Sequence, residues 1–241
     1  MPAADPPAKR VERLGARPAV SRHVNPPRYR HIIWDWNGTL LDDLDYSLGV
    51  MNAILRPRGL PELDRARYHA LFDFPVRDYY ERLGFDAARD PFEKLSHEFI
   101  TGYDAHRLDC ALHADTRRIL AAVQAAGLTQ SILSAYRHDT LVEIVAHFGL
   151  TPYFSALSGL ADNFAHSKVE LGRAQLARLG LPPKDVLLIG DTLHDLDVAR
   201  EIGVDCVLVA AGHHPADRLR PRHDRVLDSL AELPDLLGLG R

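Results

Sequence analysis

The order of apolar and polar positions divides the chain into three parts. An apolar, β-branched run over residues 29–36 ends at Asn37-Gly38, which indicates a buried strand that runs into a turn. From residue 43 to about residue 107, apolar residues recur at helical spacing and no strand pattern interrupts them. Beyond residue 108, strand patterns and helix patterns alternate along the chain.

This alternation predicts an α/β fold with a doubly wound parallel sheet, a Rossmann-like core. The all-helical part then forms a domain inserted after the first strand. We expect a basic tail over 1–29, a core made of 30–42 and 109–241, and a helical domain over 43–108. In the core, a glycine directly follows each predicted helix, as expected for a left-handed helix cap. The predicted helices span 116–126, 138–148, 167–179 and 194–202. The predicted strands span 129–133, 155–158, 185–189 and 204–209.

Length and composition fit one sizeable globular domain, or a domain with an insert. The chain has 241 residues, of which 46% are hydrophobic. No apolar run approaches the roughly 20 residues needed to cross a bilayer, so we expect a soluble protein with no membrane partner. Two cysteines, Cys110 and Cys206, are too few for a disulfide framework or a cysteine-based zinc site and suit a reducing cytoplasm.

The charge is unevenly distributed. The formal net charge is −4, yet residues 1–30 carry seven basic and two acidic side chains. This segment is rich in proline, shows no apolar periodicity and lacks the apolar core of a signal peptide, so we interpret it as a disordered tail of a cytoplasmic protein. The remainder of the chain is acidic, which argues against a nucleic-acid partner.

Candidate chemistry lies where the predicted strands end and helices begin. Asp35 follows the first strand, Ser134 the strand 129–133 and Asp191 the strand 185–189, while Lys168 and Asp195 lie at the starts of helices. Alone, each residue is weak evidence for a functional site, because residues at such positions often form turns or cap helices. Because ligands of doubly wound sheets bind beyond the carboxyl ends of the strands, we expect these five side chains to converge.

Together these residue types describe Mg²⁺-assisted phosphoryl transfer. The carboxylates offer the oxygen ligands that Mg²⁺ prefers, and Asp35 can also act as a nucleophile toward phosphorus. Ser134 and the backbone N–H of Ala135 are candidates to hold a phosphoryl oxygen. Lys168 supplies a point charge for the negative charge that develops in the reaction.

Four ordered motifs resemble those of the haloacid dehalogenase superfamily, over about residues 30–235. They are the sequence DWNGTL over 35–40, Ser134-Ala135, Lys168, and GDTLHD over 190–195. The helical insertion resembles the cap of the phosphoglycolate phosphatase-like branch. The resemblance therefore implies a hydrolase that acts on a small phosphorylated metabolite with Mg²⁺ as cofactor.

The resemblance also assigns roles. It implies that Asp35 is the nucleophile and a metal ligand, that Asp191 is the principal remaining ligand, and that Asp195 belongs to the metal shell. The backbone carbonyl of Asn37 would be a further ligand. Thr39, in the first motif, is expected among the phosphate-binding residues.

Asn37 departs from the family pattern. Most phosphatases of the family place an aspartate there, which protonates the leaving group and then activates water. Asparagine cannot exchange a proton. General acid–base catalysis by the missing aspartate is typically worth about 10²–10⁴-fold in rate.

Three interpretations of Asn37 remain open. The first is a phosphatase that is slow, or that chooses leaving groups needing little protonation, such as those of acyl or aryl phosphates. His138 and His194 are candidates for a substitute acid, although we favour a surface role for both. The second is a carbon–phosphorus hydrolase, which by resemblance would need a lysine of the helical domain; Lys94 is the candidate, although we favour a solvated surface charge as its role. The third is a weakly catalytic or non-catalytic module that binds a phosphorylated ligand.

The helical domain offers one candidate for substrate binding, Arg77. Its neighbours Val76, Tyr79, Tyr80 and Leu83 have the spacing of a packed helix face, and we favour packing as their role. His213-His214 lack further ligand residues at metal-binding spacing, so we interpret them as loop residues. Whether the protein is a monomer or a homodimer stays open.

Overall fold

The structure, a computed structural model, describes residues 28–161 and 168–239; the predicted basic tail therefore lies almost wholly outside the described residues. The strands in the described part of the chain are β1 (His31–Trp34), β2 (Leu41–Asp42), β3 (Ala111–Leu112), β4 (Thr129–Arg137), β5 (Ala156–Leu160), β6 (Val186–Gly190), β7 (Asp205–Val209) and β8 (Val226–Leu227). The α-helices are α1 (Leu44–Leu55), α2 (Arg65–Leu71), α3 (Val76–Leu83), α4 (Phe92–His106), α5 (Thr116–Ala125), α6 (His138–His147), α7 (Lys168–Leu179), α8 (Leu193–Ile202), α9 (Ala216–Leu219) and α10 (Leu233–Leu237).

Six parallel strands form the central sheet, in the order β5-β4-β1-β6-β7-β8. This order confirms the predicted doubly wound α/β fold. β1 lies in the middle, and its last residue, Trp34, pairs with Ile132 on one side and Ile189 on the other. The chain order reverses at β1, so the residues that follow it emerge at the crevice where such sheets bind ligands.

The sequence of β1 explains how the sheet is covered on both faces. All four of its residues are buried, and alternate side chains of a strand point to opposite faces. Ile32 and Trp34 pack in the apolar cluster that contains residues of α5, α6 and α10. Ile33 packs in the cluster that contains residues of α8 and α9.

β4 is longer than the predicted strand 129–133, so the prediction that Ser134 closes this strand is wrong. The strand continues to Arg137, with a shift of register between Leu133 and Arg137 against β5. Gly159 of β5 permits this extension, because a Cβ atom there would lie 2.6 Å from the carbonyl oxygen of Tyr136. Ser134 therefore lies within β4, next to the irregularity.

Helices α1–α4, which we call the helical segment, separate β2 from β3. These two short strands pair antiparallel at the point where the chain enters and leaves the helical segment. Each has only two residues, so a pattern of alternating apolar residues could not have predicted them. The helical segment has its own apolar cluster. Tyr79, Tyr80 and Leu83 are buried in it, which confirms that they pack, and Val76 packs against it while keeping part of its surface exposed. The division into domains at 42/43 and 108/109 stays a prediction.

None of the helices in the described part of the chain combines the length and the apolar character needed to span a bilayer.

His31, in the middle of the sheet, should make the protein sensitive to acid. It is fully buried, with Nδ1 2.7 Å from the Thr129 hydroxyl and Nε2 2.7 Å from the Ser131 hydroxyl, and burial lowers its pKa to about 4. Because the unfolded state then binds more protons, the contribution of His31 is complete above its unfolded pKa and is lost as pH falls through its folded pKa. We expect the contribution of His31 to the free energy of unfolding to drop by roughly 3 kcal/mol between about pH 6.5 and about pH 4, measured by urea unfolding as the difference between the wild type and His31→Gln.

Two histidine variants test this assignment. His31→Gln should remove the loss of unfolding free energy that His31 causes at acid pH, whereas His138→Gln, at an exposed position, should leave the pH dependence of the wild type unchanged. An equally steep dependence in His31→Gln would contradict the assignment.

Candidate active site

Three buried carboxylates meet at the carboxyl ends of the central strands. Asp35 follows β1, Asp191 follows β6, and Asp195 lies in the first turn of α8. Oxygen atoms of the three side chains all lie within 4.8 Å of one another. The structure thus brings together the three carboxylates that the sequence analysis placed at one edge.

Lys168 joins two of these carboxylates. It begins α7 and is 5% exposed, and its ammonium group pairs with Oδ1 of Asp35 and with Oδ1 of Asp195, the latter at 2.6 Å. Four lysines are present in the chain, and this one is buried against the candidate nucleophile.

Hydroxyl and backbone donors hold the carboxylates in place. The Thr39 hydroxyl, which is fully buried, lies 3.0 Å from Asp191 Oδ1 and 3.4 Å from Asp35 Oδ2. Thr192 donates to Asp195 Oδ2 from its hydroxyl at 2.7 Å and from its backbone N–H at 3.0 Å, which caps α8. Thr39 therefore contacts the carboxylates themselves, and its role toward phosphate stays a prediction.

Glycines let the backbone approach these carboxylates closely. Gly38 has a φ of +73°, and a Cβ atom there would lie 2.2 Å from Asp191 Oδ2. A Cβ atom on Gly212 would lie equally close to that oxygen, at 2.2 Å. Any side chain at either position would displace Asp191, so both glycines shape the carboxylate cluster.

The charges of the cluster fit a divalent cation. Burial raises the pKa of Asp35 to about 8 and that of Asp191 to about 6. For Asp195, burial acts in the same direction, but the charge of Lys168 outweighs it and lowers the pKa. With all three carboxylates ionised, the cluster would hold two negative charges in excess of the Lys168 ammonium in a buried place, and the raised pKa values reflect the cost of this charge. A divalent cation would offset that charge, and carboxylate oxygens are the ligands that hard cations prefer, so these residues fit a hard divalent cation.

A cavity of about 280 Å³ opens between this cluster and the helical segment. Ser134 and Ala135 line it, together with the three carboxylates and Lys168. The Ser134 hydroxyl accepts the backbone N–H of Tyr136 at 3.1 Å, which leaves its own hydrogen to donate.

Two basic residues of the helical segment lie apart from this cluster. Arg77 pairs with Glu93 at 3.3 Å and lies over the ring of Phe92 on the surface, so the structure does not place it among the residues that line the cavity. Lys94, the residue on which carbon–phosphorus cleavage would depend, pairs with Asp90 at 2.9 Å and is half exposed.

Asn37 is held by two partners that the sequence analysis missed. Its amide nitrogen donates to Asp43 Oδ2 at 2.9 Å and to the Tyr103 hydroxyl at 2.8 Å. The Tyr103 hydroxyl in turn donates to Asp43 Oδ2 at 2.7 Å. Charged and neutral donors outweigh burial and lower the pKa of Asp43 to about 2, so this side chain is an ionised acceptor, and the nitrogen of Asn37 must face it.

His213 is a further missed residue and is buried at the site. Its backbone N–H donates to Asp191 Oδ2 at 2.6 Å, and its ring lies 3.4 Å from Asp43 Oδ1 and 2.8 Å from the Tyr68 hydroxyl. It occupies a loop, as predicted, but a loop that follows β7 at the same edge of the sheet. The rule that residues after parallel strands converge would have found it.

The two histidines considered as substitute acids differ in position. His138 is exposed at the start of α6. His194 lines the cavity and stacks on Phe74 with ring centroids 4.5 Å apart. Of the two, the structure brings only His194 to the cavity.

Comparison with known proteins gives a consistent family assignment. A sequence profile described as "Haloacid dehalogenase-like hydrolase" matches residues 32–209. The chain is 29% identical over 198 residues to the N-acetylmuramic acid 6-phosphate phosphatase of Pseudomonas putida, with 79% of this chain and 87% of that protein covered. It is 31% identical over 199 residues to a 5'-nucleotidase of Pseudomonas aeruginosa, with 80% and 88% covered.

Solved structures share the fold. A protein described as a predicted phosphatase from Clostridium acetobutylicum superposes with a TM-score of 0.75 at 19% identity, covering 88% of this chain and 99% of that one.

Proposed function

The chain belongs to the haloacid dehalogenase-like hydrolases, and on that premise we propose that it is a Mg²⁺-dependent phosphatase of a small phosphorylated metabolite. The observation that carries this proposal is the cluster of Asp35, Asp191 and Asp195 around Lys168 at the carboxyl ends of β1 and β6. Relatives named as phosphatases support the reaction type.

In the first step, a carboxylate oxygen of Asp35 attacks phosphorus and forms an acyl phosphate. The bond between phosphorus and the ester oxygen breaks, its electron pair stays on the ester oxygen, and the departing alkoxide takes a proton from water. Lys168 offsets the negative charge that collects on the phosphoryl oxygens, and the hydroxyl of Ser134 with the N–H of Ala135 orients one of them.

In the second step, water attacks the phosphorus of the acyl phosphate, inorganic phosphate leaves, and the Asp35 carboxylate is restored. When bound, Mg²⁺ would neutralise phosphate charge. Asp35, Asp191 and the backbone carbonyl of Asn37 would hold it, and Asp195 would belong to the metal shell. Asn37 can give or take no proton in either step, so we expect hydrolysis of the acyl phosphate to be slow relative to its formation.

The helical segment serves as a cap in this proposal. Residues from α1 to α4 line the cavity and would keep bulk water away from the acyl phosphate. The surface position of Lys94 gives no support to carbon–phosphorus cleavage. A phosphate-binding module without turnover remains the alternative, because the Asn37 amide, which donates to Asp43 and Tyr103, cannot act as a general acid or base.

A phosphate-release assay tests the proposal. The purified chain should release phosphate from acetyl phosphate and para-nitrophenyl phosphate in the presence of Mg²⁺, and chelation should abolish the release. Binding of phosphate esters without release would support the binding module instead.

Mg²⁺ should stabilise the folded protein against heat. A ligand that binds only the folded state adds about 2.7 kcal/mol at about 100 times its Kd, so the melting temperature should rise with Mg²⁺ concentration. Differential scanning fluorimetry measures this rise. Asp191→Asn should remove most of it, whereas Asp197→Asn, a 65% exposed position on the same helix as Asp195, should keep it. A rise that survives in Asp191→Asn would contradict the assigned ligand.

Restoring an acid at position 37 should raise turnover, provided that Asp43 is changed with it. Asn37→Asp alone places a second carboxylate at the position that lies 2.9 Å from Asp43 Oδ2, and the repulsion works against the new group. The exchange Asn37→Asp with Asp43→Asn keeps one carboxylate and one amide in contact. We expect steady-state kcat to increase on the order of 10²-fold in the double variant and less in Asn37→Asp.

The control for the double variant is Asp43→Asn alone, which should not exceed the wild type. If the double variant turns over no faster than the wild type, another group already performs the proton transfer.

A further inference from the structure

One wall of the cavity is apolar and largely aromatic. Side chains from the helical segment form this wall, and each keeps part of its surface exposed: Phe72, Phe74, Val76, Phe92, Phe99 and Ile100. A phosphoryl group bound at the carboxylates would direct its leaving group toward this wall. With about 280 Å³ available, the cavity lies at the small end for ligand sites, so a compact group fits.

The wall offers no partner for a second negative charge on the substrate. Among the described residues that line the cavity, the lysine and arginine side chains are Lys168 and Arg137. Lys168 is engaged by Asp35 and Asp195, the ring of His213 lies against Asp43 and the Tyr68 hydroxyl, and Arg137 lies at the end of β4 and not on the helical segment that forms the wall. A carboxylate or second phosphate packed against the wall itself would lose its hydration without an ion pair from the residues that form the wall.

Asn37 restricts the leaving group independently of the wall. Its amide nitrogen donates to Asp43 and Tyr103, and an amide has no acidic proton to give to a departing oxygen. An alcohol must then leave as its anion, which favours alcohols of low pKa. Phenols ionise near pH 10, as tyrosine does, whereas the pKa of water is near 15.7, so an aryl oxygen leaves far more readily than a water-like oxygen.

We propose that the substrate is a phosphate monoester of a compact, uncharged aromatic alcohol, an aryl phosphate whose ring packs against the aromatic wall. This inference rests on the proposed function. Asp35 forms the new oxygen–phosphorus bond, the aryl oxygen keeps the electron pair of the bond that breaks, and the phenolate then takes a proton from water.

Four substrates distinguish the effect of the apolar wall from the effect of the leaving group. Phenyl phosphate has the ring and the good leaving group, benzyl phosphate has the ring on an alkyl oxygen, glycerol 3-phosphate is polar, and phosphoglycolate carries a second anion. With the full chain and Mg²⁺, kcat/KM reports formation of the acyl phosphate, the step in which the alcohol leaves. It should be higher for phenyl than for benzyl phosphate, and higher for benzyl phosphate than for glycerol 3-phosphate. We expect kcat/KM for phenyl phosphate to exceed that for phosphoglycolate by about 100-fold or more.

A change in the wall supplies the second readout. Ile100→Arg places a cation there and should shift the preference toward phosphoglycolate by about tenfold or more, whereas Ile100→Gln should not. The proposal is overturned if phosphoglycolate or glycerol 3-phosphate is used as well as phenyl phosphate, or if Ile100→Arg leaves the preference unchanged. Absence of turnover on all four substrates would instead remove the proposed function, and this inference with it.

Discussion

Asp35→Asn should abolish phosphate release, with kcat reduced by a factor on the order of 10⁴ or more. The substitution replaces the nucleophilic carboxylate by an amide, whose oxygen is a far weaker nucleophile toward phosphorus. Steady-state release of phosphate from phenyl phosphate measures the effect.

The matched control is Asp228→Asn, the same chemical change at a 68% exposed position. It should retain wild-type turnover. Phosphate release from Asp35→Asn at a rate near that of the wild type would show that the reaction does not pass through this carboxylate.

Lys168→Met should lower both activity and stability. Loss of one preorganised charge at the phosphoryl group typically costs about 10²–10³-fold in kcat. Without the ammonium, the carboxylates of Asp35 and Asp195 face each other unpaired in a buried place, so we expect the metal-free protein to lose about 3–5 kcal/mol of unfolding free energy.

Two comparisons qualify this result. Mg²⁺ should restore part of the lost stability, because it supplies positive charge to the same carboxylates. Lys94→Met, at a half-exposed position paired with Asp90, should change neither turnover nor stability by a comparable amount. An equal loss in Lys94→Met, or wild-type turnover in Lys168→Met, would contradict the role given to Lys168.

The sequence was most informative where chemistry follows a strand. Asp35 and Asp191 come directly after apolar strands, and Lys168 and Asp195 after helix starts, so the rule of convergence at strand ends found all four. Such placement depends only on the order of elements along the chain, which apolar periodicity shows well. The strands β2, β3 and β8 were not predicted, because they have two residues each and apolar periodicity needs a longer run.

Contacts between separate elements could not be predicted. Asp43, Tyr103 and His213 come from the start of α1, from α4 and from the loop after β7, and only tertiary packing brings them around Asn37. Arg77 shows the opposite case. Its charge made it a candidate for substrate binding, but the nearby Glu93 and the ring of Phe92 hold it on the surface.

The aromatic residues of the helical segment combine two roles that periodicity cannot separate. Tyr79 and Tyr80 are buried in the apolar cluster of this segment and also line the cavity. A helix face packed on its neighbours and a helix face turned to a ligand have the same spacing of apolar residues. Only the position of the cavity distinguishes them.

The central claim is that Asp35 carries the phosphoryl group between the two steps. The protein should be mixed with Mg²⁺ and phenyl phosphate, quenched in acid during turnover, and digested for peptide mass spectrometry. We predict one phosphoryl group on Asp35, in an amount that builds up as a burst because Asn37 slows its hydrolysis. Turnover without a phosphorylated peptide, or with the phosphoryl group on another residue, would contradict the account.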